Sequence, residues 1–211
     1  MQHPAYEDLV HFASDGHYAS ELQQARAEFI ERTGDLFESD HDFESRIGSF
    51  LEWYSLDRMV SHASNATPAR LYIEHVTPQL TTPEIQALRP LTRTRLSLFY
   101  VKRVTPKAIK LCCLLTTHKH EARLETPLLG VESGDILEGR LLPDGDNLGL
   151  SHTILMYPKS VRKLVLKRAR AYRKDPQGQT RIDMVQRMAF LRNRATRYAH
   201  GDPRQIFTDA P

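Results

Sequence analysis

The chain has 211 residues, of which 40% are hydrophobic and 26% are charged, and its formal net charge at pH 7 is +3. This balance is typical of a globular protein and excludes wholesale disorder. Because no run of about 18 apolar residues occurs, we expect no segment that spans a membrane. Residues 1–18 lack the basic start and the apolar core of a secretory signal peptide, so we expect none.

The charges are divided unevenly along the chain. Residues 1–100 contain 8 Lys and Arg against 15 Asp and Glu, a balance of −7, whereas residues 101–211 contain 21 against 11, a balance of +10. This asymmetry predicts two surfaces that suit different partners. It is also compatible with a homo-oligomer in which the acidic region of one copy contacts the basic region of another.

Residues 1–96 predict an acidic helical region. Residues 20–31 contain neither Gly nor Pro, and a second helix is expected to begin at residues 39–42, where a capping residue precedes acids in the first turn. Thr67-Pro68 and Thr82-Pro83 each place a capping hydroxyl before a proline at the first helical position. We therefore expect two more helices to begin at these dipeptides.

Residues 97–157 predict a β-rich region. The apolar runs 97–104 and 108–115 are rich in residues that favour strands, and the short turn between them favours a hairpin. Further strands are predicted near residues 121–125, at 136–142 and at 148–157. Together these strands suffice for a small antiparallel sheet or a partly open barrel.

The rest of the chain predicts two basic helices at residues 158–200 and a frayed tail at residues 201–211. Residues 159–174 contain eight Lys and Arg and no acid, with apolar residues at helical spacing between them. The predicted fold class is therefore α+β, with a helical N-terminal half, a small antiparallel sheet or partly open barrel, and two C-terminal basic helices, in one compact domain.

The only two cysteines, Cys112 and Cys113, are adjacent in an apolar run. On a strand they should point to opposite faces. They offer no disulfide framework, so we expect a reducing, cytoplasmic location. Both are expected to be small core residues rather than redox or metal-binding groups.

Several short segments match a known pattern in order and spacing. Residues 50–58 read FLEWYSLDR, residues 97–101 read SLFYV, and residues 134–143 read GDILEGRLLP. With Thr67-Pro68, these segments resemble a family of uncharacterised bacterial proteins, some members of which sit beside the cysteine-rich SEC-C zinc-binding motif. The resemblance spans about residues 45–160. It implies a helical front and a β-rich rear, and it implies no catalytic residues. The chain itself carries no SEC-C motif.

No constellation typical of an enzyme occurs in the sequence. GxSxG, HExxH, phosphate-loop and dinucleotide fingerprints are all absent, so we expect a non-catalytic protein without a cofactor. His118, His120 and His152 form the best metal hypothesis, but the first two also fit a polar turn, and we expect no metal. Residues 144–147 are interpreted as a turn rather than a calcium loop.

Arg89 and Arg93 form an Arg-x-x-x-Arg pair just before the β-rich region. The pair resembles the start of PilZ domains, and the resemblance implies a receptor that binds c-di-GMP with Arg89 and Arg93. Paired guanidiniums suit phosphates and stack on guanine. The chain lacks the Asp/Asn-x-Ser-x-x-Gly turn of that family. The other interpretation is a helix C-terminus with arginines, which the helix dipole favours.

The basic C-terminal helices carry the functional hypothesis that the sequence favours. Residues 159–197 contain thirteen Lys and Arg against two acids. The sequence predicts a regulatory or interaction module that docks a negatively charged protein partner, with sequence-independent nucleic-acid binding by the same helices as the alternative. Arg168 falls among apolar residues and is expected to reach solvent or a carboxylate. The residues predicted to bind the partner lie on the solvent side of the first basic helix: Arg162, Lys163, Lys167, Arg170 and Arg173.

Overall fold

A computed structural model gives the fold for residues 3–61, 66–197 and 202–209. The predicted α+β class is confirmed, because helices precede and follow a small barrel-like sheet. The helices before the sheet are α1 (Tyr6–Ser14), α2 (Ala19–Thr33), α3 (Phe43–Leu56), α4 (Pro68–Val76) and α5 (Thr82–Leu88). The strands are β1 (Arg95–Thr105), β2 (Ala108–Cys113), β3 (Lys119–Arg123), β4 (Ile136–Asp144), β5 (Asn147–Leu150) and β6 (Leu155–Met156). The helices after the sheet are α6 (Arg162–Lys174), α7 (Arg181–Arg197) and α8 (Pro203–Asp209).

Strands β1 to β5 close into a barrel. β1, β2 and β3 form an antiparallel meander, and β4 pairs in antiparallel fashion with both β1 and β5. The barrel closes where β3 meets β5 in parallel, at the pair Arg123 and Gly149, and β6 adds a short edge to β4. Turn patterns along the sequence predict hairpins but not this closure, which is why the sequence predicted only antiparallel pairs and a partly open barrel.

Alternate residues of the strands fill the barrel interior. Phe99, Val101, Ile109 and Leu111 are at most 1% exposed, and the register places Val101 opposite Leu111 on one face. Burying each such side chain stabilises the fold by about 1.5–3 kcal/mol. Cys113 is buried among them as predicted. This core keeps the outer faces of the strands in a fixed arrangement.

Helix α3 joins the helical front to the barrel. Phe50, Trp53 and Tyr54 pack in one buried cluster with residues of α2. A Cβ added to Gly48 would lie 2.7 Å from Oγ1 of Thr153 in the loop between β5 and β6. Glycine at this position therefore allows α3 to approach the barrel closely.

The helix starts follow the sequence signals, although the hydroxyl expected to cap α4 makes no capping hydrogen bond. The capping residue of α5 is Thr81 rather than Thr82, and its N–H donates to Glu84 at 2.7 Å in a reciprocal capping box. Asp42 precedes α3, but its side chain makes no capping hydrogen bond. Its carboxylate instead accepts a hydrogen bond from Arg192 of α7 at 2.7 Å.

The three last helices cover the barrel. Val165 and Ala169 of α6 and Met188 of α7 belong to the same buried cluster as the barrel interior. The prediction of a frayed tail is wrong for the described part, because Pro203–Asp209 is helical and Phe207 is 2% exposed within that cluster. So short a helix is stabilised by tertiary packing rather than by propensity. Residues 198–201 and 210–211 lie outside the described residues.

Candidate functional site

A buried arginine of the barrel contacts the helical region that precedes the sheet. Arg140 of β4 is fully buried, and its Nε donates to Glu52 of α3 at 3.1 Å. Its remaining guanidinium nitrogens donate to Oγ1 of Thr94 at 2.8 Å and to Asp57. Burial opposes the charge of Arg140, but Asp57 and Glu52 raise its pKa above the ordinary value. All three nitrogens of this buried guanidinium donate to side chains of the chain itself, so we assign the cluster to stability.

A buried carboxyl lies two residues earlier, on the same face of β4. Glu138 accepts a hydrogen bond from Ser49 at 3.4 Å. Burial raises the pKa of Glu138 to about 7, although Arg192 and Arg46 favour its charged form. Such a shift is a known signal of acid–base catalysis. Glu138 is only 4% exposed, and Tyr157 and Ser49 beside it are 4% and 5% exposed. We therefore assign this cluster to stability, since a substrate would not reach it.

Two arginines of helix α7 contact acidic residues of the N-terminal helical region. Arg192 is 2% exposed and donates to Asp42 at 2.7 Å. Further along the helix, Arg197 donates to Asp40 at 2.6 Å, and this guanidinium holds the pKa of the Asp40 carboxyl below its usual range. Part of the basic charge of the C-terminal region is thus neutralised within the chain.

Helix α6 has the opposite arrangement. The five predicted side chains are all exposed, as expected, and within the described residues no carboxylate lies at ion-pair distance from any of them. Arg162 donates to the carbonyl of Gly134 at 3.3 Å, and Arg173 donates to the carbonyl of Leu114. We call this set the α6 basic face: Arg162, Lys163, Lys167, Arg170 and Arg173.

Arg168 is another cation of α6, and the sequence predicts that it lies among apolar residues. Its Nε and Nη2 donate to the carbonyl of Phe207 in α8, at 3.2 and 2.8 Å. Burial lowers the pKa of Arg168. The sequence predicted that Arg168 reaches solvent or a carboxylate. It did not predict this backbone acceptor, because it did not predict α8. Arg168 therefore serves packing, and it is not part of the α6 basic face.

Arg89 and Arg93 lie in and just after a 3₁₀ turn, Arg89–Thr92, that leads into β1. Both side chains are exposed. A cleft of about 340 Å³ near this turn is lined by Gln86 and Pro90 and also by the acids Glu125 and Asp144, which would repel a phosphate. The c-di-GMP hypothesis stays a prediction.

The histidine pair and the calcium-loop residues lie at different places in the sheet. The rings of His118 and His120 lie 6.5 Å apart at the start of β3, and burial lowers the pKa of His120. Within the described residues, no group of three or more His, Cys, Asp or Glu is placed to hold a metal ion. Asp144 and Asn147 pair across the hairpin of β4 and β5, which agrees with the turn interpretation.

The comparisons with known proteins add no relative. No family model, curated protein or solved structure matches the chain. The resemblance to the bacterial family beside the SEC-C motif therefore stays a prediction. No helix within the described ranges is both long enough and apolar enough to cross a membrane.

Sequence reasoning missed the buried charges of β4. Glu138 and Arg140 interrupt an apolar run at i and i+2, which places them on one face of the strand. That spacing was a usable signal of a buried polar layer. Their partners on α3 are nearly ninety positions away in the sequence, so the pairing could not be read from the sequence.

Proposed function

We propose that the protein is a non-catalytic module whose α6 basic face binds the phosphate backbone of nucleic acid without sequence preference. The observation that carries this proposal is the contrast between the cations of α6 and those of α7. Arg192 and Arg197 of α7 already have carboxylate partners, whereas Lys163, Lys167 and Arg170 project into solvent. A surface of this kind attracts polyanions, because each neutralised phosphate releases counterions.

The lack of an apolar anchor favours nucleic acid over an acidic protein. Protein interfaces are organised around buried aromatic and aliphatic side chains. The large hydrophobic side chains that are exposed in the described residues are Phe37, Met59 and Leu129, and none of them belongs to α6. The acidic protein partner that the sequence favoured therefore becomes the competing hypothesis.

The test is a binding titration of a random-sequence DNA duplex at several salt concentrations. The helix variant is Lys163→Gln/Lys167→Gln, because both side chains are exposed and make no hydrogen bond within the described residues. The matched control is Arg26→Gln/Arg70→Gln, which removes the same charge from exposed positions on α2 and α4. We expect the wild-type affinity to fall steeply with salt. We also expect the slope of log K against log salt, which is negative, to be less steep by about 2 in the helix variant. The control should leave this slope unchanged.

Other outcomes separate the competing hypotheses. Equal binding by the helix variant and the control would contradict the role of α6. No nucleic-acid binding, with capture of an acidic protein that the helix variant fails to capture, would support the protein partner. A rise in thermal midpoint with c-di-GMP that is lost in Arg89→Ala would support the nucleotide hypothesis instead, because a ligand of the native state raises the midpoint by mass action.

A further inference from the structure

A second basic surface lies on the outer face of β1, β2 and β3. The pairing of β1 with β2 shifts register between Val101 and Arg103, so Lys102 and Arg103 together lie opposite Lys110. In such a bulge two residues of one strand face one residue of its neighbour. Regular alternation from buried Val101 would have turned Arg103 inward, but Lys102 and Arg103 are both exposed. The bulge therefore adds a cation to this face.

Strand β3 extends this surface. Lys119 is exposed and lies beside Cys112 of β2 in the register. Lys102, Lys110 and Lys119 line an open groove of about 600 Å³. Glu121 lies 3.3 Å from Lys110, but these side chains are 58% and 54% exposed, so the pair is weak and readily exchanged. We call this set the outer strand face: Lys102, Arg103, Lys110 and Lys119.

The outer strand face is continuous with the α6 basic face. A Cβ placed on Gly134 would lie 3.1 Å from Nη1 of Arg162 and 3.7 Å from the hydroxyl of Tyr100. The first cation of α6 and the tyrosine of β1 therefore converge on one point. On the strand side of this point, Nζ of Lys102 lies over the Tyr100 ring, 4.7 Å from its centre.

We infer that these two faces form one site, along which a nucleic-acid backbone passes from α6, over Arg162 and Tyr100, to Lys102 and Lys119. This inference rests on the proposed function and extends it, because it assigns the barrel a direct part in binding. Charge complementarity carries the assignment. The two faces hold nine cations and meet at Arg162 and Tyr100, and Lys110 has a carboxylate partner among the described residues.

The ligand that suits this path is a duplex. Sites for unpaired strands combine cations with aromatic rings on which bases stack. Tyr100 is the aromatic residue at the junction, it is half-buried, and Lys102 covers one face of its ring. The path therefore offers contacts to phosphates without a platform for bases. A duplex, whose phosphates are regularly spaced, should bind at least as tightly as either of its separate strands.

The test adds one variant to the titration described above and uses the full chain. The strand variant is Lys102→Gln/Lys119→Gln, which leaves the Lys110–Glu121 pair in place. We expect the strand variant to weaken duplex binding by at least about tenfold at about 0.1 M salt. The slope of log K against log salt should be less steep by about 2, as in the helix variant. Combining the helix and strand variants should make the slope less steep by about 4, because both sets of cations contact one ligand. Circular dichroism spectra and thermal midpoints verify that each variant is folded.

Each remaining outcome overturns part of the scheme. If the strand variant binds like the Arg26→Gln/Arg70→Gln control while the helix variant loses affinity, the outer strand face has no part and the proposed function stands. If neither variant loses affinity, both proposals fail. If only the strand variant loses affinity, α6 is not on the path and the continuous site is wrong. If an unpaired strand binds more tightly than the duplex, recognition by phosphate contacts alone is wrong.

Discussion

Helices α6 and α7 are both rich in basic residues, yet the fold treats their charges differently. Helix α6 packs one face against the protein, whereas α7 is buried on several sides. The α6 basic face has no carboxylate at ion-pair distance within the described residues, whereas Arg192 of α7 is buried and pairs with Asp42. The charge of a helix therefore does not indicate its role, because the neighbouring elements decide whether its cations stabilise the fold or remain available for a partner.

The largest expected effect is at Arg192, the buried cation of α7. Arg192→Met removes the donor to Asp42 and the hydrogen bond to Asn193, leaving a partly buried carboxylate unpaired. We expect the free energy of unfolding to fall by about 3–5 kcal/mol, or roughly 2–4 °C in thermal midpoint for each kcal/mol. Urea denaturation measures the change. The control is Arg194→Met, an exposed position on the same helix. Equal effects of the two variants would remove the distinction between buried and exposed cations.

The next effect concerns pH, and it tests the buried cluster beside Arg192. Burial raises the pKa of Glu138 from its usual 4.5 to about 7, so the folded protein binds this proton more tightly than the unfolded chain does. The resulting stability is complete below about pH 4.5 and is lost as the pH rises through about 7, a loss of about 3 kcal/mol. We expect Glu138→Gln to lack this loss, because its side chain is neutral at every pH.

Urea denaturation at about pH 5 and about pH 8 measures the effect of Glu138→Gln. Glu132→Gln is the matched control. Its carboxyl is exposed, and Lys159 holds its pKa below the usual range, so it is charged at both pH values. If Glu138→Gln and the wild type lose the same stability between the two pH values, Glu138 is not the titrating group.

A smaller effect is expected at Arg168, the cation of α6 that contacts the protein. Arg168→Met keeps the aliphatic stem but removes two N–H donors from the carbonyl of Phe207. We expect a loss of about 1–2 kcal/mol and faster hydrogen exchange in α8. The control, Arg170→Met, changes an exposed residue two positions away and should leave exchange in α8 unchanged. Unchanged exchange in both variants would show that α8 does not depend on this contact.

The smallest effect is expected on the α6 basic face. Lys163 and Lys167 are four residues apart on the exposed side of α6, where like charges repel by about 0.2–0.5 kcal/mol. Lys163→Gln/Lys167→Gln should therefore leave the free energy of unfolding unchanged or raise it by up to about 0.5 kcal/mol. Calorimetry measures this change. A clear loss of stability would mean that these lysines serve the fold rather than a partner.

Much of the fold could be predicted because local patterns encode it. Strand runs separated by turns, and proline after threonine, located most strands and several helices within a few residues. The strand predicted at 148–157 is instead two short strands, β5 and β6. The parallel pairing of β3 with β5 could not be predicted, since it depends on how the whole barrel closes. Helix α8 was missed because so short a segment becomes stable only when Phe207 is buried and Arg168 binds its carbonyl.

The candidate site divides in the same way. Helical periodicity alone identified the five side chains of the α6 basic face as solvent-facing, and the structure agrees. The outer strand face was not predicted as a unit, because it depends on the pairing of β1, β2 and β3. The outward direction of Arg103 also depends on a bulge, which strand alternation does not reveal.

By itself, then, the sequence determined most of the secondary-structure elements, the charge asymmetry between the two halves and the outward side of α6. Only the tertiary structure decided which cations are neutralised. Asp42 and Arg192 are 150 positions apart in the chain yet lie 2.7 Å from each other in the fold. Coulomb energy depends on distance in space and on burial, not on separation along the chain. For this reason two helices of similar composition differ. Arg192 and Arg197 of α7 pair with carboxylates, whereas the α6 basic face has no carboxylate at ion-pair distance within the described residues.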